Sequence, residues 1–410
     1  VVFLCICIYF IRSTLSSGEK TLEIEMAKIA LSGTQALTVL SRYPLRWPKE
    51  VVSLFNVAGG LFSGAGDVIS FTCAMENDQG SRYLRGSAVI LAAPLVVVAC
   101  AGIFWFGKAI KAPEQMKNIR SNFVVSVMVI LFMVLPTLNQ TAFQLLTCRT
   151  ISDASYSISR VAGDLDVECF GSTHLAYIGG VAVPGLLLYA VGMPALAISL
   201  LRRKNKTNKL FVSREVSYSS SVYMFLYGGY NREHYYWEVI IMLRKVTLNL
   251  VLVVMDSASP LAQGLFVQII LVICIAAHVR YQPYEERMLN HIELCSLLLA
   301  AAVLLLGFFL FDEELEGWFH STITVLMVAL IGVSFVAFVV VLVMQIKTSR
   351  TEAIRKRMVK AREQAHTFES GLEMAVVRLR GGFSRARRPS EAASPVDEAV
   401  EIENPFQNNH

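Results

Sequence analysis

Long, uninterrupted apolar runs are the feature that most constrains how this chain can fold. Several approach or exceed the roughly 20 residues that a helix needs to cross the hydrocarbon core of a bilayer. Of the 410 residues, 54% are hydrophobic and 17% are charged, a more apolar composition than soluble domains have. Because the runs are continuous and do not alternate, they favour helices over the strands of a β-barrel. The sequence therefore predicts an all-α, polytopic membrane helix bundle.

The apolar runs predict about nine spans, of which the second is the weakest. That run is short of bulky residues, rich in glycine, and contains Asp67. The stretch from Glu23 to Leu40 ahead of it is predicted to be an interfacial or bundle-packed helix that ends before Pro44 and Pro48. The predicted spans are residues 1–12, 50–71, 86–107, 122–146, 175–201, 237–255, 260–279, 291–311 and 319–346.

The chain begins VVFLCICIYFI, without the positive region and cleavage site of a signal peptide. We expect this run to be a truncated span, the second half of a helix that belongs to a longer protein. The predicted domains are residues 1–20 (truncated span and linker), 21–348 (multi-span membrane domain), 349–388 (basic amphipathic cytosolic helix) and 389–410 (disordered tail).

Lysine and arginine in the loops set the predicted orientation. Four cations lie between the third and fourth spans, six lie in residues 202–214 directly after the fifth, two lie between the seventh and eighth, and a basic tail follows the ninth. The four loops on the opposite side, in chain order, carry two cations, two cations, none and none. These counts place the basic loops and the C-terminus in the cytosol, and nine spans then place the N-terminus outside.

Three cysteines fall in connections on the outer side. Cys148 and Cys169 bracket one short loop, where an oxidising compartment permits a disulfide, although two free thiols are the alternative. Cys73 lies on the same side and could pair with either of them, or with a preceding region. No CxxC pair or histidine cluster has the spacing of a metal site, so no metal ligand is predicted.

Two adjacent cations, Arg244 and Lys245, lie inside the sixth span, where ionisable groups are costly. One helical stripe carries Lys245 together with Glu238, Met242 and Asn249, at spacings of four, three and four residues. Polar groups of neighbouring spans at similar depth are candidates to meet this helix. They are Glu293, at the cytosolic start of the eighth span, and His278, at the cytosolic end of the seventh.

The cations of the sixth span allow three interpretations. A Glu293–Arg244 or Glu238–Lys245 ion pair would neutralise the charge structurally. Alternatively, the polar stripe lines a permeation or gating path. In the third interpretation, the cations extend to the cytosolic headgroups without partners.

The fourth span contains Pro136, followed by Asn139, Gln140 and a threonine near its outer end. A proline frees a backbone carbonyl, and polar side chains can bond it again. The residues are a candidate helix break that could line a site, with a structural kink as the alternative.

No catalytic motif or dinucleotide fingerprint occurs in the sequence, so we expect neither an enzyme nor a cofactor. Nucleic acid is not an expected partner.

Residues 350–388 are basic, with apolar or small residues at alternating spacings of four and three, which predicts a helix with a coiled-coil seam. Binding to anionic lipid, or to a calmodulin-like protein, is an alternative for this segment. Further copies of the chain and the bilayer itself are the other expected partners.

Six blocks of sequence together resemble the TRP-like family membrane domain. That domain forms the C-terminal membrane region of large protist and algal surface proteins, and it is more distantly similar to fungal TRP-like and flavin-carrier proteins. The resemblance covers about residues 1–346, and its most specific part is the fifth block. The blocks read YPLRWPKEVVSLFNVAGGLFSGAGDVISFTC, LPTLNQTAFQLLTCR, DLDVECF, LLLYAVGMPALAISLLRR, FLYGGYNREHYYWEVIIMLRKVTLNL and YQPYEERMLNHIELCSLLL.

The resemblance implies a channel-like domain, with cation conduction among its expected activities, attached to an adhesive or sensing extracellular region. We expect an ion channel or channel subunit in the plasma or ciliary membrane. The alternatives are a transporter of small solutes or lipids and a pore-less membrane anchor or adhesion receptor. The resemblance carries no selectivity-filter signature that would decide among them.

Overall fold

Local sequence signals set the ends of the helices. One helix begins where the Ser259 hydroxyl accepts a hydrogen bond from the Ala262 amide (3.2 Å), with Pro260 in its first turn. The same helix ends at Gln282, whose left-handed backbone (φ 39°) turns the chain into the next helix.

The computed structural model describes Ile11 and residues 22–62, 82–111, 116–153, 156–206, 224–255, 259–311 and 317–385. The predictions for most of residues 1–12, for Cys73 and for residues 389–410 lie outside these ranges.

The described residues form helices and one small sheet. The helices are α1 (Leu22–Leu40), α2 (Lys49–Phe62), α3 (Arg82–Lys111), α4 (Met116–Gln144), α5 (Ser172–Lys206), α6 (Met224–Tyr227), α7 (Trp237–Val254), α8 (Pro260–Tyr281), α9 (Arg287–Phe309) and α10 (Gly317–Arg385). The strands are β1 (Cys148–Asp153), β2 (Tyr156–Val161) and β3 (Asp164–Glu168).

Helix α5 contains two π-helical stretches, Ile178–Ala182 and Leu186–Gly192. They lie just before Pro184 and Pro194, whose rings lack the amide hydrogen that a regular helix needs. The wider turns let the helix continue past both prolines.

Six described helical segments are long and apolar enough to cross a membrane, by length and composition. Helix α7 has 18 residues but carries Glu238, Arg244 and Lys245, so its composition is less apolar than theirs. The six segments are Tyr83–Lys111, Asn122–Gln144, Ser172–Lys206, Pro260–Tyr281, Arg287–Phe309 and Gly317–Thr351.

Helix α1 lies at the centre of the bundle. It contributes Ile24 and Leu31 to one buried apolar cluster, Leu37 to a second, and Met26 and Ile29 to a third. A helix that reaches three clusters is surrounded by its neighbours, which identifies α1 as a bundle-packed helix.

The bundle has two distinct ends, which we call the sheet end and the tyrosine end. At the sheet end, the antiparallel sheet β1-β2-β3 follows α4, and the Tyr83 ring at the start of α3 packs on Gly163. The tyrosine end is marked by the backbone bridge between Tyr230 and Tyr284, which precede α7 and α9. Helices α7 and α9 therefore both begin at the tyrosine end.

Helix α1 runs from the tyrosine end to the sheet end. Near its start, Lys28 contacts Glu238 at the beginning of α7. Just beyond its end, the Arg42 guanidinium donates to the side-chain oxygen of Gln140, near the end of α4. The Tyr43 hydroxyl likewise donates to the carbonyl of Leu248 in the second half of α7 (2.7 Å).

Helix α2 differs in position from the predicted second span. That span was expected to enter from the basic, cytosolic side at about residue 50. Trp47, just before α2, packs against Gly307 near the end of α9, so α2 begins at the sheet end. Residues 63–71 of the predicted span lie outside the described residues, so the crossing of this segment stays a prediction.

Contacts divide the chain into two units, Val1–Gln345 and Ile346–His410. The bundle and the sheet belong to the first unit. In the second unit, the backbone of α10 stays helical to Arg385. The coiled-coil seam predicted there stays a prediction.

Candidate functional site

A stripe of polar side chains follows one face of α1, in the interior of the bundle. Glu25, Lys28, Ser32 and Gln35 are all buried, and Arg42 continues the stripe at the sheet end. The spacings of three, four and three residues place Glu25, Lys28, Ser32 and Gln35 on one helical face, and Arg42 follows just beyond the helix. At a rise of about 1.5 Å per residue, the helical part of the stripe from Glu25 to Gln35 is about 15 Å long. We call this stripe and its partners on α4, α7 and α9 the polar column.

The column starts at the tyrosine end with a buried lysine. The Lys28 ammonium lies 3.0 Å from a carboxylate oxygen of Glu25 and 3.0 Å from one of Glu238. It also donates to the backbone carbonyl of Phe225 at 2.9 Å. The Tyr230 hydroxyl donates to the same oxygen of Glu238 at 2.9 Å, which fixes that carboxylate.

The two tyrosines at this end stay protonated at neutral pH. Burial, followed by the negative charge of Glu238, raises the pKa of Tyr230 well above its ordinary value. Burial, followed by the charge of Glu293, does the same to the pKa of Tyr284. Protonated hydroxyls can donate, as Tyr230 does to Glu238.

In the middle of the column, α7 and α9 form a buried ion pair. Arg244 donates to a carboxylate oxygen of Glu293 at 2.9 Å and to the Ser32 hydroxyl at 3.1 Å. The Arg244–Glu293 pair is one of the two that the sequence suggested. Glu238 contacts Lys28 instead of Lys245, because α1 brings a cation that the sequence analysis had not considered.

Lys245, the residue after Arg244, makes its direct contacts with neutral groups. Its ammonium donates to the side-chain oxygen of Gln35 at 2.8 Å and lies 4.9 Å from the centre of the Phe132 ring. Gln35 is held in turn by its own bond to the Met133 carbonyl (3.3 Å). Because Lys245 is only 4% exposed, its ammonium does not extend to the surface of the bundle.

Several buried polar atoms in the same region have no hydrogen-bond partner among the described residues. Both amide atoms of Asn139 are unpartnered, as are the amide oxygen of Asn249, one oxygen of Glu293 and the Nε of Arg244. Asn139 and Asn249 are 0% and 1% exposed. Buried polar atoms in proteins are almost always bonded to protein or water. These atoms therefore indicate water or a small polar species inside the bundle.

The remaining predicted residues are His278, which lies outside this cluster, and the segment of α4 at residues 136–140. His278 shares a hydrogen bond with the Asn290 carbonyl (3.0 Å) and packs near Trp237 and Tyr284, joining α8 to α9. Helix α4 continues through Pro136 to its end without a break. Its Gln140 reaches Arg42, at the sheet end of the column.

Cys148 and Cys169 form a disulfide that closes the sheet, with their Cα atoms 6.0 Å apart. His174 lies beside the two sulfurs, but its ring nitrogens are bonded to the Phe170 amide (3.0 Å) and the Leu145 carbonyl (2.8 Å). With both sulfurs in the disulfide, this trio presents no free ligand set for a metal.

The sequence analysis missed the polar face of α1. The available signal was the spacing of Glu25, Lys28, Ser32 and Gln35 in an otherwise apolar segment, the same pattern that identified the stripe on α7. The sequence analysis predicted an interfacial or bundle-packed helix here, and because polar residues are common at an interface it did not single out this face.

Apolar helices of membrane-crossing length around a buried polar interior define a polytopic helical membrane protein. No family model matches the chain, and no solved structure matches it either. A curated protein that does match is cysteine repeat modular protein A of Toxoplasma gondii, at 26% identity over 200 residues. The match covers 46% of this chain and 6% of that protein, so the chain spans a small part of its relative's length.

Proposed function

We propose that this chain is the membrane domain of a TRP-like ion channel or channel subunit, and that the polar column is its conduction path in a closed state. The observation that carries the proposal is the set of unpartnered atoms on Asn139, Asn249 and Glu293, deep inside the bundle. A purely structural interior would leave few such atoms, because each one costs about 1–3 kcal/mol. Water supplied along a path would satisfy them.

The proposed topology keeps nine crossings and replaces the second. The crossings are the segment before residue 12, then α1, α3, α4, α5, α7, α8, α9 and the first part of α10. The sheet end then faces outward and the C-terminus faces the cytosol of a surface membrane. The disulfide on the sheet side supports this orientation, since disulfides persist in oxidising compartments.

The relative from Toxoplasma gondii supports the proposal that such a domain belongs to a larger protein. Its name describes cysteine repeats, and the matched part is 6% of its length. We propose that this domain likewise accompanies a cysteine-rich extracellular region. Anionic lipid or a calmodulin-like protein at the basic segment, and further copies of the chain, are the proposed partners.

A second candidate function is a pore-less anchor. The observation in its favour is that the charged groups Lys28, Arg244 and Lys245 each have protein partners within 3.0 Å. Such pairing stabilises a static interior without any passage for ions.

Current recordings from the full chain in lipid vesicles, combined with cysteine modification, test the proposal. In a background whose unpaired cysteines are alanine, Asn249→Cys is treated with a water-soluble, charged thiol reagent. We expect a current above that of empty vesicles, reduced at least several-fold by the modification. The matched control is Leu250→Cys on the exposed, lipid-facing side of α7, whose current should not change.

The other outcomes select the alternatives. If vesicles show no current and neither cysteine reacts, the pore-less anchor is correct. Flux of a labelled solute without current would identify a transporter.

A further inference from the structure

The Lys28 ammonium occupies a cage that has the composition of a cation site. Three oxygens surround it at 2.9–3.0 Å, namely one each from the Glu25 and Glu238 carboxylates and the Phe225 backbone carbonyl. Carboxylate and carbonyl oxygens are the ligands that hard cations take in proteins, and rings of backbone carbonyls replace the water shell of potassium in channels. The oxygens come from α1, α7 and the short helix α6 before the loop that leads to α7, so the fold assembles them from distant parts of the sequence.

Two aromatic rings complete the cage. The centres of the Phe225 and Tyr230 rings lie 5.1 and 5.7 Å from the ammonium, within the range of a cation–π contact. The backbone of the loop is shaped to the cage as well. Gly229 has φ +80°, and a Cβ there would lie 2.9 Å from the Cγ of Glu25. The site is therefore built from fitted parts and is closed to bulk water, since Lys28 is 4% exposed.

We propose that this cage is a binding site for one monovalent cation of potassium size, and that Lys28 is its tethered occupant in the present state. An ammonium group is a compact point charge on a flexible stem, so it can leave the cage without any helix moving. A potassium ion entering in its place brings the same single charge to the same oxygens.

The cage is the first polar group of the column at the tyrosine end. An ion that enters the column from that end meets the Lys28 ammonium in the cage. Lys28 would then act as a plug that competes with the permeating ion; this role, unlike the binding itself, rests on the proposed channel function.

Thermal unfolding of the purified full chain in lipid nanodiscs tests the binding. Lys28→Met empties the cage while keeping the length of the apolar stem. We expect the unfolding midpoint of Lys28→Met to be about 5 °C higher in 100 mM potassium chloride than in the chloride of the bulky cation N-methylglucamine. Sodium should give a smaller rise. The wild type, with its cage already filled, should show no difference between these salts.

Lys245→Met is the matched control. It also removes a buried lysine, but that ammonium contacts one amide oxygen and one ring, which do not form a cage. It should show no potassium dependence. Adding Glu238→Gln to Lys28→Met should abolish the potassium effect, because one carboxylate ligand is lost.

Equal midpoints for Lys28→Met in all three salts would overturn the proposal. Failure of that variant to fold in every salt would overturn it too, because a bound potassium ion is expected to replace the ammonium. A potassium effect in a protein that conducts no current would leave the cation site standing and remove the channel function. A current without a potassium effect would leave the channel function standing and remove the cation site.

Discussion

At the scale of single residues, the Arg244–Glu293 pair shows how a charge is tolerated inside the bundle. The guanidinium has one carboxylate and one hydroxyl as partners, and both charged side chains are at most 9% exposed. The attraction in such a pair roughly offsets the cost of removing both charges from water. Removing one partner leaves the other charge buried and alone, which is far more costly than removing both.

We therefore expect Arg244→Met to lower the free energy of unfolding by about 3–5 kcal/mol. The double variant Arg244→Met with Glu293→Leu should recover most of that loss, since no charge remains. Unfolding in mixed detergent micelles measures the free energy of unfolding of both variants. Thr247→Val, on an exposed position of the same helix, is the control and should change stability little. A double variant as unstable as the single one would contradict this account of the Arg244–Glu293 ion pair.

At the scale of elements, α1 and α9 pack closely through a small residue. A Cβ added at Gly33 would lie 2.3 Å from the Ser296 hydroxyl oxygen, but 3.5 Å from the Ser296 Cβ. The obstacle is therefore the hydroxyl alone. Arg244 of α7 links the same two helices, because it bonds both Ser32 of α1 and Glu293 of α9.

Gly33→Ala should cost about 1–3 kcal/mol by overpacking this contact. In a Ser296→Ala background, the same change should become neutral or stabilising, because the oxygen is gone and alanine favours a helix by about 1 kcal/mol over glycine. Gly332→Ala in α10, where a Cβ meets nothing within 4 Å, is the matched control. Thermal unfolding in detergent compares these variants with the wild type. A loss of stability from Gly33→Ala that persists without the Ser296 hydroxyl would contradict the expected contact.

Much of the element level could be predicted from the sequence, and the exceptions have a physical cause. Apolar runs gave the helices α3, α4, α5, α8, α9 and α10, because hydrophobicity over about 20 residues is a strong signal. Helical spacing gave the buried stripe of α7. The sequence left α1 as either interfacial or bundle-packed and missed its polar face, because Ser32 and Gln35 bond to partners about 200 residues away. No local pattern in the sequence reveals such distant partners.

At the scale of the whole molecule, the two ends of the bundle differ in chemistry. The sheet end carries the disulfide, and α5 leads from it to the basic residues Arg202, Arg203, Lys204 and Lys206 at its far end. A membrane between these ends would separate an oxidising side from a cytosolic side, in line with the loop charges.

Surface labelling of intact cells tests this orientation. In a background without unpaired cysteines, Asp166→Cys in the exposed part of β3 should react with a membrane-impermeant maleimide. Lys206→Cys, exposed at the other end of α5, should react only after permeabilisation. The reverse pattern would invert the proposed topology, and labelling of both in intact cells would exclude a membrane between the two ends.

The distant partners of α1 have a consequence for biosynthesis. A segment with Glu25, Lys28 and Gln35 on one face gains little from entering lipid when it first emerges from the ribosome. Its distant polar partners Glu238, Arg244 and Lys245 all lie in α7 and are made about 200 residues later. We therefore expect α1 to insert only after α7 has been made, so a truncation before α7 should leave α1 outside the membrane, where it is open to degradation.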